Sequence, residues 1–217
     1  KDTSFITGSG FNSVPKTIAL QADGKILLGG NFSTYNGGTG NKIIRLNSNG
    51  SKDTSFNTGT GINEGFNAAV NKISLQNDGK ILVGGNFTSY RGVTENKIIR
   101  LNTDGSKDTS FITGSGFGNI SSYDVYDVAI QNDGKILVGG AFITYNGVTQ
   151  NKIIRLNTDG SKDINFIIGS GFNAEGGGIS KISIQSDGKI LLGGGFTSYQ
   201  GVPENNIIRL NTDGSKD

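Results

Sequence analysis

Hydrophobic and polar positions along this 217-residue chain recur in four repeats, and within each repeat they follow strand spacing rather than helix spacing. The segments KTIALQ (16–21), NKISLQ (71–76), YDVAIQ (126–131) and SKISIQ (180–185) place Ile18 and Leu20, Ile73 and Leu75, Val128 and Ile130, and Ile182 and Ile184 on one face. Ala19, Ser74, Ala129 and Ser183 lie between them on the other face. Period-two alternation predicts a β-strand, named a here, and the small residue on its second face predicts a crowded position where neighbouring sheets converge. An Asp-Gly turn at Asp23, Asp78, Asp133 and Asp187 then reverses the chain, since glycine accepts a positive φ and aspartate bonds the backbone of its own turn. The run Ile81-Leu82-Val83 and its copies is apolar at consecutive positions, which predicts a strand b covered on both faces. The paired glycines that follow, such as Gly84-Gly85, leave room for another backbone or for the ring of Phe32, Phe87, Phe142 or Phe196.

After Tyr35, Tyr90, Tyr145 and Tyr199 comes a polar loop containing glycine, and then NKIIRLN (41–47, 96–102, 151–157) or NNIIRLN (205–211), which predicts strand c. Arg45, Arg100, Arg155 and Arg209 share a face with the first Ile of each pair. A turn of the form SNGS or TDGS leads into KDTSF or KDINF, and Phe5, Phe56, Phe111 and Phe166 open a predicted strand d. The Asp-Gly pairs are 55, 55 and 54 residues apart, and four strands in that period is the arithmetic of a propeller blade. The expected fold is therefore an all-β β-propeller of four-stranded antiparallel blades, a single domain over residues 1–217 with repeats 1–51, 52–106, 107–161 and 162–215. Thr3–Ile6 would be a strand d without its c, and Ile207–Leu210 a c without its d, so their pairing is expected to close a ring of four blades or, if four are too few, to join another copy. Ends cut in phase with the repeat, in a chain without Met, predict a piece of a longer repeat protein.

The run LQNDGKILVGGNFTSY … IIRLNTDGSKDTSF resembles the delta-60 repeat family, a β-propeller repeat of secreted and surface proteins and of some virion proteins. The resemblance covers all four repeats. It implies the propeller fold and an extracellular, cell-surface or virion location, and it implies no particular activity. The paired glycines also look like kelch, but kelch's later tryptophan is missing, and no kelch role is carried over.

Composition agrees with many short strands and tight turns, with 36 Gly, 2 Pro and 33% hydrophobic residues. The 20 basic and 18 acidic residues are spread through the repeats for a net charge of +2, which argues for a solvated surface and against a nucleic-acid partner. No apolar run approaches the roughly 18 residues of a membrane span, so no membrane insertion is expected. The chain has no Cys and no His, which leaves no disulfide and no thiol chemistry. Asn102-Thr103-Asp104-Gly105-Ser106-Lys107-Asp108 is similar to the second half of a propeller calcium loop, but Arg100 stands where the first carboxylate should be. The Gly-Ser-Gly and Gly-Thr-Gly triplets lack the third glycine and the helix of a phosphate loop. Each repeated Arg is expected to cover an aromatic ring or to pair with Asp53, Asp108, Asp163 or Asp217. Asn31-Phe32-Ser33 and Asn86-Phe87-Thr88 match glycan acceptors by chance, because they fall where strand b packs. No catalytic constellation, cofactor or metal site is expected.

The differences among the copies carry more functional information than the shared positions. The d–a stretches read FNSVP, INEGFNAAV, FGNISSYDVY and FNAEGGGIS, and the b–c loops read NGGTG, RGVTE, NGVTQ and QGVPE. In a propeller these loops share one rim, so one rim is diversified and the other standardised. The expected role is a non-enzymatic binding or adhesion module that recognises glycan or protein through the variable rim. The alternative is a purely structural repeat spacer or scaffold with no ligand; copies of the chain and neighbouring repeats of the same parent protein are the other partners expected. Tyr90, Arg91, Tyr123 and Tyr126 offer ring and charge combinations that other repeats lack in full, and they are the candidate ligand-binding residues.

Overall fold

A computed structural model describes residues 4–63, 68–118, 124–173 and 177–217. These residues contain β-strands and turns and no helix. The chain divides into two compact units, Lys1–Asp108 and Thr109–Asp217, each holding two blades. In the N-terminal unit the blades are three-stranded antiparallel sheets ordered a-b-c: Pro15–Leu20, Ile26–Gly30 and Ile43–Leu46, then Val70–Leu75, Ile81–Gly85 and Ile98–Leu101. The C-terminal unit repeats the plan with Val125–Ile130, Ile136–Gly140 and Ile153–Leu156, then Ile179–Ile184, Ile190–Gly194 and Ile207–Leu210. The repeats, the strand order and the all-β class are those read from the sequence.

The fourth strand differs from expectation. Strand d is reduced to a single bridge in each repeat, Leu46↔Lys52, Leu101↔Lys107, Leu156↔Lys162 and Leu210↔Lys216. The reason is the next residue: Asp53 Oδ1 accepts from the Ser55 N–H at 3.0 Å and from Ser55 Oγ at 2.7 Å, and this local turn ends the pairing. Phe56 then turns inward while the Asn57 N–H donates to Asp104 O at 2.8 Å, in the turn after strand c of the following blade. Ile167 does the same to Asp213, and Ile6 to Asn49 at 2.7 Å. The pairing expected of Thr3–Ile6 with Ile207–Leu210 rested on a full strand d. Residues 4–6 form no strand, Thr3 lies outside the described residues, and Leu210 takes its outer bridge from Lys216, just past the fourth repeat.

Strand b is covered on both faces as its sequence requires, with Ile81, Leu82 and Val83 fully buried. Within the N-terminal unit Leu27 and Ile43 of the first blade share a core with Ile73, Val83 and Ile99 of the second, and Ala19 packs at its margin. Gly29 permits that approach, because a Cβ there would lie 2.4 Å from Val70 Cγ1 of the next blade. The second glycine of the pair meets its own sheet, where a Cβ on Gly85 would lie 2.1 Å from Ala69 O and 3.1 Å from a ring carbon of Phe87. Both halves of the glycine expectation therefore hold, with the neighbouring blade's branched side chain as a further reason.

One element was missed. The b–c loop is a small hairpin in every repeat: Thr34–Tyr35 with Gly38–Thr39, Ser89–Tyr90 with Val93–Thr94, Thr144–Tyr145 with Val148–Thr149, and Ser198–Tyr199 with Val202–Pro203. Asn36 (φ 49°) and Gly37 (φ 75°) form its turn, with both central residues left-handed. Asn36-Gly37 and Asn146-Gly147 were the available signal.

Candidate functional site

A charged cluster standardises one part of each blade. Arg45 Nε donates to Asp53 Oδ2 at 2.7 Å, and Lys25, from the Asp-Gly turn, meets the same oxygen at 3.0 Å. The cluster recurs as Arg100–Asp108–Lys80, Arg155–Asp163–Lys135 and Arg209–Asp217–Lys189. Arg45 and Arg155 also lie 4.8 Å over the rings of Phe56 and Phe166. The expected pairing and the expected ring cover thus occur together, and the lysine is an addition. Within each unit the arginine reaches forward as well: Arg45 donates to Thr103 O at 2.5 Å and Arg155 to Thr212 O. Burial opposes ionisation of Asp163, but hydrogen bonds from Lys135, the Asn165 N–H and Arg155 outweigh it and hold the carboxyl at about 2. Asp53 lies well below the usual carboxylate range by the same balance, burial being outweighed by Ser55, Lys25 and Arg45.

The turn after strand c is also self-contained. Asp104 Oδ1 accepts from the Ser106 N–H at 2.8 Å and from Ser106 Oγ at 2.7 Å, so the oxygen that a calcium loop would direct at a cation is engaged within the turn. Tyr90 OH donates to Gly105 O of that turn at 2.5 Å, and Tyr35, Tyr145 and Tyr199 make the same bond to Gly50, Gly160 and Gly214. Burial pushes the Tyr90 and Tyr199 hydroxyls up to about 12.

That bond corrects one nominated residue. Tyr90 is 1% exposed, and its ring belongs to the blade core rather than to a rim surface. Arg91 beside it is exposed; its guanidinium lies 5.7 Å over the Tyr90 ring and donates to Asn57 O. Tyr126 sits half-buried in strand a of the third blade, where burial first and Asp124 second raise its hydroxyl. Tyr123 lies outside the described residues. Tyr90 and Arg91 belong to one compact unit and Tyr126 to the other.

The expected neighbourhood of the d–a stretch and the b–c loop is present in all four repeats, through Phe11↔Tyr35, Ile62↔Tyr90, Phe117↔Tyr145 and Phe172↔Tyr199. Beside it each unit has a cleft at the same place in its repeats, between the b–c hairpin of one repeat and the opening segment of the next. The N-terminal cleft measures about 340 Å³, with Thr39, Lys52, Thr54, Phe56, Asn57 and Thr58 in its lining. Its C-terminal counterpart measures about 590 Å³, and there the equivalent residues are Thr149, Lys162, Ile164, Phe166, Ile167 and Ile168. Asn41 Nδ2 donates to Gly59 O at 3.1 Å and Asn151 Nδ2 to Ser170 O at 2.8 Å, which pins the Gly-Thr-Gly and Gly-Ser-Gly turns as cleft walls. Arg91 lies against the same wall in the N-terminal unit, since a Cβ on Gly59 would lie 3.4 Å from Arg91 Cγ. Sequence reasoning placed variability in the loops and missed these clefts, although the change from KDTSF to KDINF marks the altered lining.

The profile of the family described as Domain of unknown function (DUF5122) beta-propeller matches residues 21–56, 76–111, 131–166 and 185–217. The chain belongs to that family. No curated protein matches it. Among solved structures it is similar to the extracellular domain of a B. thetaiotaomicron protein assigned as a one component system, at 16% identity and a TM-score of 0.49, covering 93% of this chain and 22% of that one. It is also similar to a protein of unknown function from Bacteroides caccae, at 13% identity and a TM-score of 0.39, covering 93% of this chain and 79% of that one. The chain thus spans about a fifth of the length of the first of these proteins (22%).

Proposed function

We propose that this member of the DUF5122 beta-propeller family is a non-enzymatic binding or adhesion module that recognises glycan or protein through the variable edge of its blades. The observation that carries the reading is the pair of equivalent clefts. Their frame is the same in both units, with the Arg–Asp–Lys cluster, the Tyr-to-Gly bond and the Asn clamp, while their linings differ at Thr54, Asn57 and Thr58, where the C-terminal cleft has Ile164, Ile167 and Ile168. A repeat fold that keeps its frame and changes its concave lining is using that lining for specificity. The narrower likeness to the delta-60 repeat, and with it a location outside the cell, on its surface or in a virion, belongs to the same proposal.

The test is binding to glycan and protein arrays by the full chain and by variants with b–c loops and cleft linings exchanged between repeats. Saturable binding that moves or disappears with the exchange supports the module. Absence of binding across broad panels supports a scaffold. That second reading has its own observation: Ile18 and Leu20 are 67% and 69% exposed on the first blade, a face that a neighbouring repeat would cover.

A further inference from the structure

The two clefts differ most in how one lysine is satisfied. Lys52 Nζ donates to Thr39 O at 2.6 Å in the N-terminal cleft. Lys107 and Lys216, at the same place in their repeats, pair with Glu95 and Glu204. In the third repeat the position of Glu95 and Glu204 is Gln150, which is buried and donates Nε2 to Ile153 O at 2.6 Å. Among the described residues the ammonium of Lys162 has neither an ion pair nor a hydrogen bond. The same cleft is more apolar than its N-terminal counterpart at three lining positions. Ile164 (82% exposed) and Ile167 (67% exposed) stand where the other cleft has Thr54 and Asn57, over a floor of Phe166 and Ile168.

We infer that the C-terminal cleft binds a carboxylate carried on an apolar body. The carboxylate pairs with the Lys162 ammonium, as a glutamate of the chain does with Lys107 and Lys216, and Ile164, Ile167 and Phe166 cover the body. About 590 Å³ is within the range of small-ligand pockets, roughly 300–1,000 Å³. An acidic sugar satisfies the lysine but leaves two exposed isoleucines against hydroxyls, so the lining favours a peptide C-terminus ending in an apolar residue, or a free aryl or alkyl acid, over a glycan. The inference rests on the cleft being the binding site proposed above and narrows its ligand.

The test is an NMR titration of the full chain with 3-phenylpropionate, 3-phenylpropionamide, glucuronate, and an N-acetylated peptide ending in Phe as free acid and as amide. The expected result is saturable shifts confined to the Lys162 cleft for phenylpropionate or the peptide acid, with affinity at least about tenfold weaker for the amides and for glucuronate. The phenylpropionate and peptide arms separate a free acid from a chain end. Gln150→Glu supplies the missing intramolecular carboxylate, as in the two sister repeats, and should abolish the shifts, as should Lys162→Ala; Lys52→Ala should leave them unchanged. Equal binding of acid and amide, preference for glucuronate, or full binding by folded Gln150→Glu would overturn the inference. Array binding that persists in Lys162→Ala and Gln150→Glu would sink this ligand assignment while leaving the broader binding function standing.

Discussion

The third and fourth blades present the same strand, Ile-Ile-Arg-Leu, to opposite surroundings. Ile153 is fully buried and the Arg155 side chain is 7% exposed, whereas Ile207 is 67% and the Arg209 side chain 45% exposed. Local chemistry does not distinguish them, since both arginines hold their aspartate through Nε at 2.6 Å. Cover does. Arg155 reaches on to Thr212, and Ile153 joins Ile179 and Leu192 of the fourth blade in one core. The N-terminal unit supplies the converse on strand a, where Ile73 is 3% exposed against the first blade and Ile18, on the first blade, is 67% exposed. The alternation of a and the Ile-x-Arg spacing of c therefore encode blade-to-blade faces, and a neighbour decides whether each face is buried.

Removing one carboxylate from each cluster tests this contrast most strongly. Asp163→Ala strands a buried guanidinium and a lysine, and should lower unfolding free energy in urea by about 3–5 kcal/mol, a much larger loss than that of the exposed Asp217→Ala. Equal losses would mean that cover is irrelevant to the cluster. The same carboxyl sets an acid limb. Its pKa is about 2 in the fold, below the ordinary value of 3.8, so its stabilisation is complete above about pH 4 and is lost as pH falls toward 2. Stability measured across that window should fall less steeply in Asp163→Ala than in the parent; an unchanged slope contradicts the assignment.

The apolar half of the contrast is next in size. Ile73→Ala opens a cavity between two blades and should cost about 2–4 kcal/mol, while Ile18→Ala should stay within about 0.5 kcal/mol. A large loss at Ile18 would show that its face is covered in solution. The smallest effect concerns the hairpin. Gln200 takes the left-handed position (φ 50°) that Asn36 and Asn146 fill in two sister repeats, so Gln200→Asn should gain about 0.5 kcal/mol by thermal or urea unfolding. A loss would show that the Gln200 side chain does more than occupy the turn.

Period, strand order and double-sided burial of strand b were legible in the sequence because each follows from alternation at fixed spacing. The Arg–Asp pairing was legible because both residues recur in phase. Three features were not. Strand d looked like a strand from Phe and its apolar neighbours, but Asp53 and Ser55 bend the chain before pairing can extend. Tyr90 looked like a rim ring, yet its hydroxyl reaches a carbonyl 15 residues on, a contact no local pattern reports. The clefts lie between segments of consecutive repeats, so their linings appear only when the two segments are side by side.

The division between frame and cleft predicts that the frame carries stability and that exchange of the cleft lining leaves it unchanged. Ile164→Thr with Ile167→Asn converts two exposed residues of the C-terminal cleft into their N-terminal counterparts without touching the Arg155–Asp163–Lys135 cluster. Urea unfolding of this double variant beside Asp163→Ala is the direct comparison. A change within about 0.5 kcal/mol, against the several lost with the carboxylate, is the predicted result. A loss as large as that of Asp163→Ala would place the two isoleucines in the frame and contradict the division between frame and cleft.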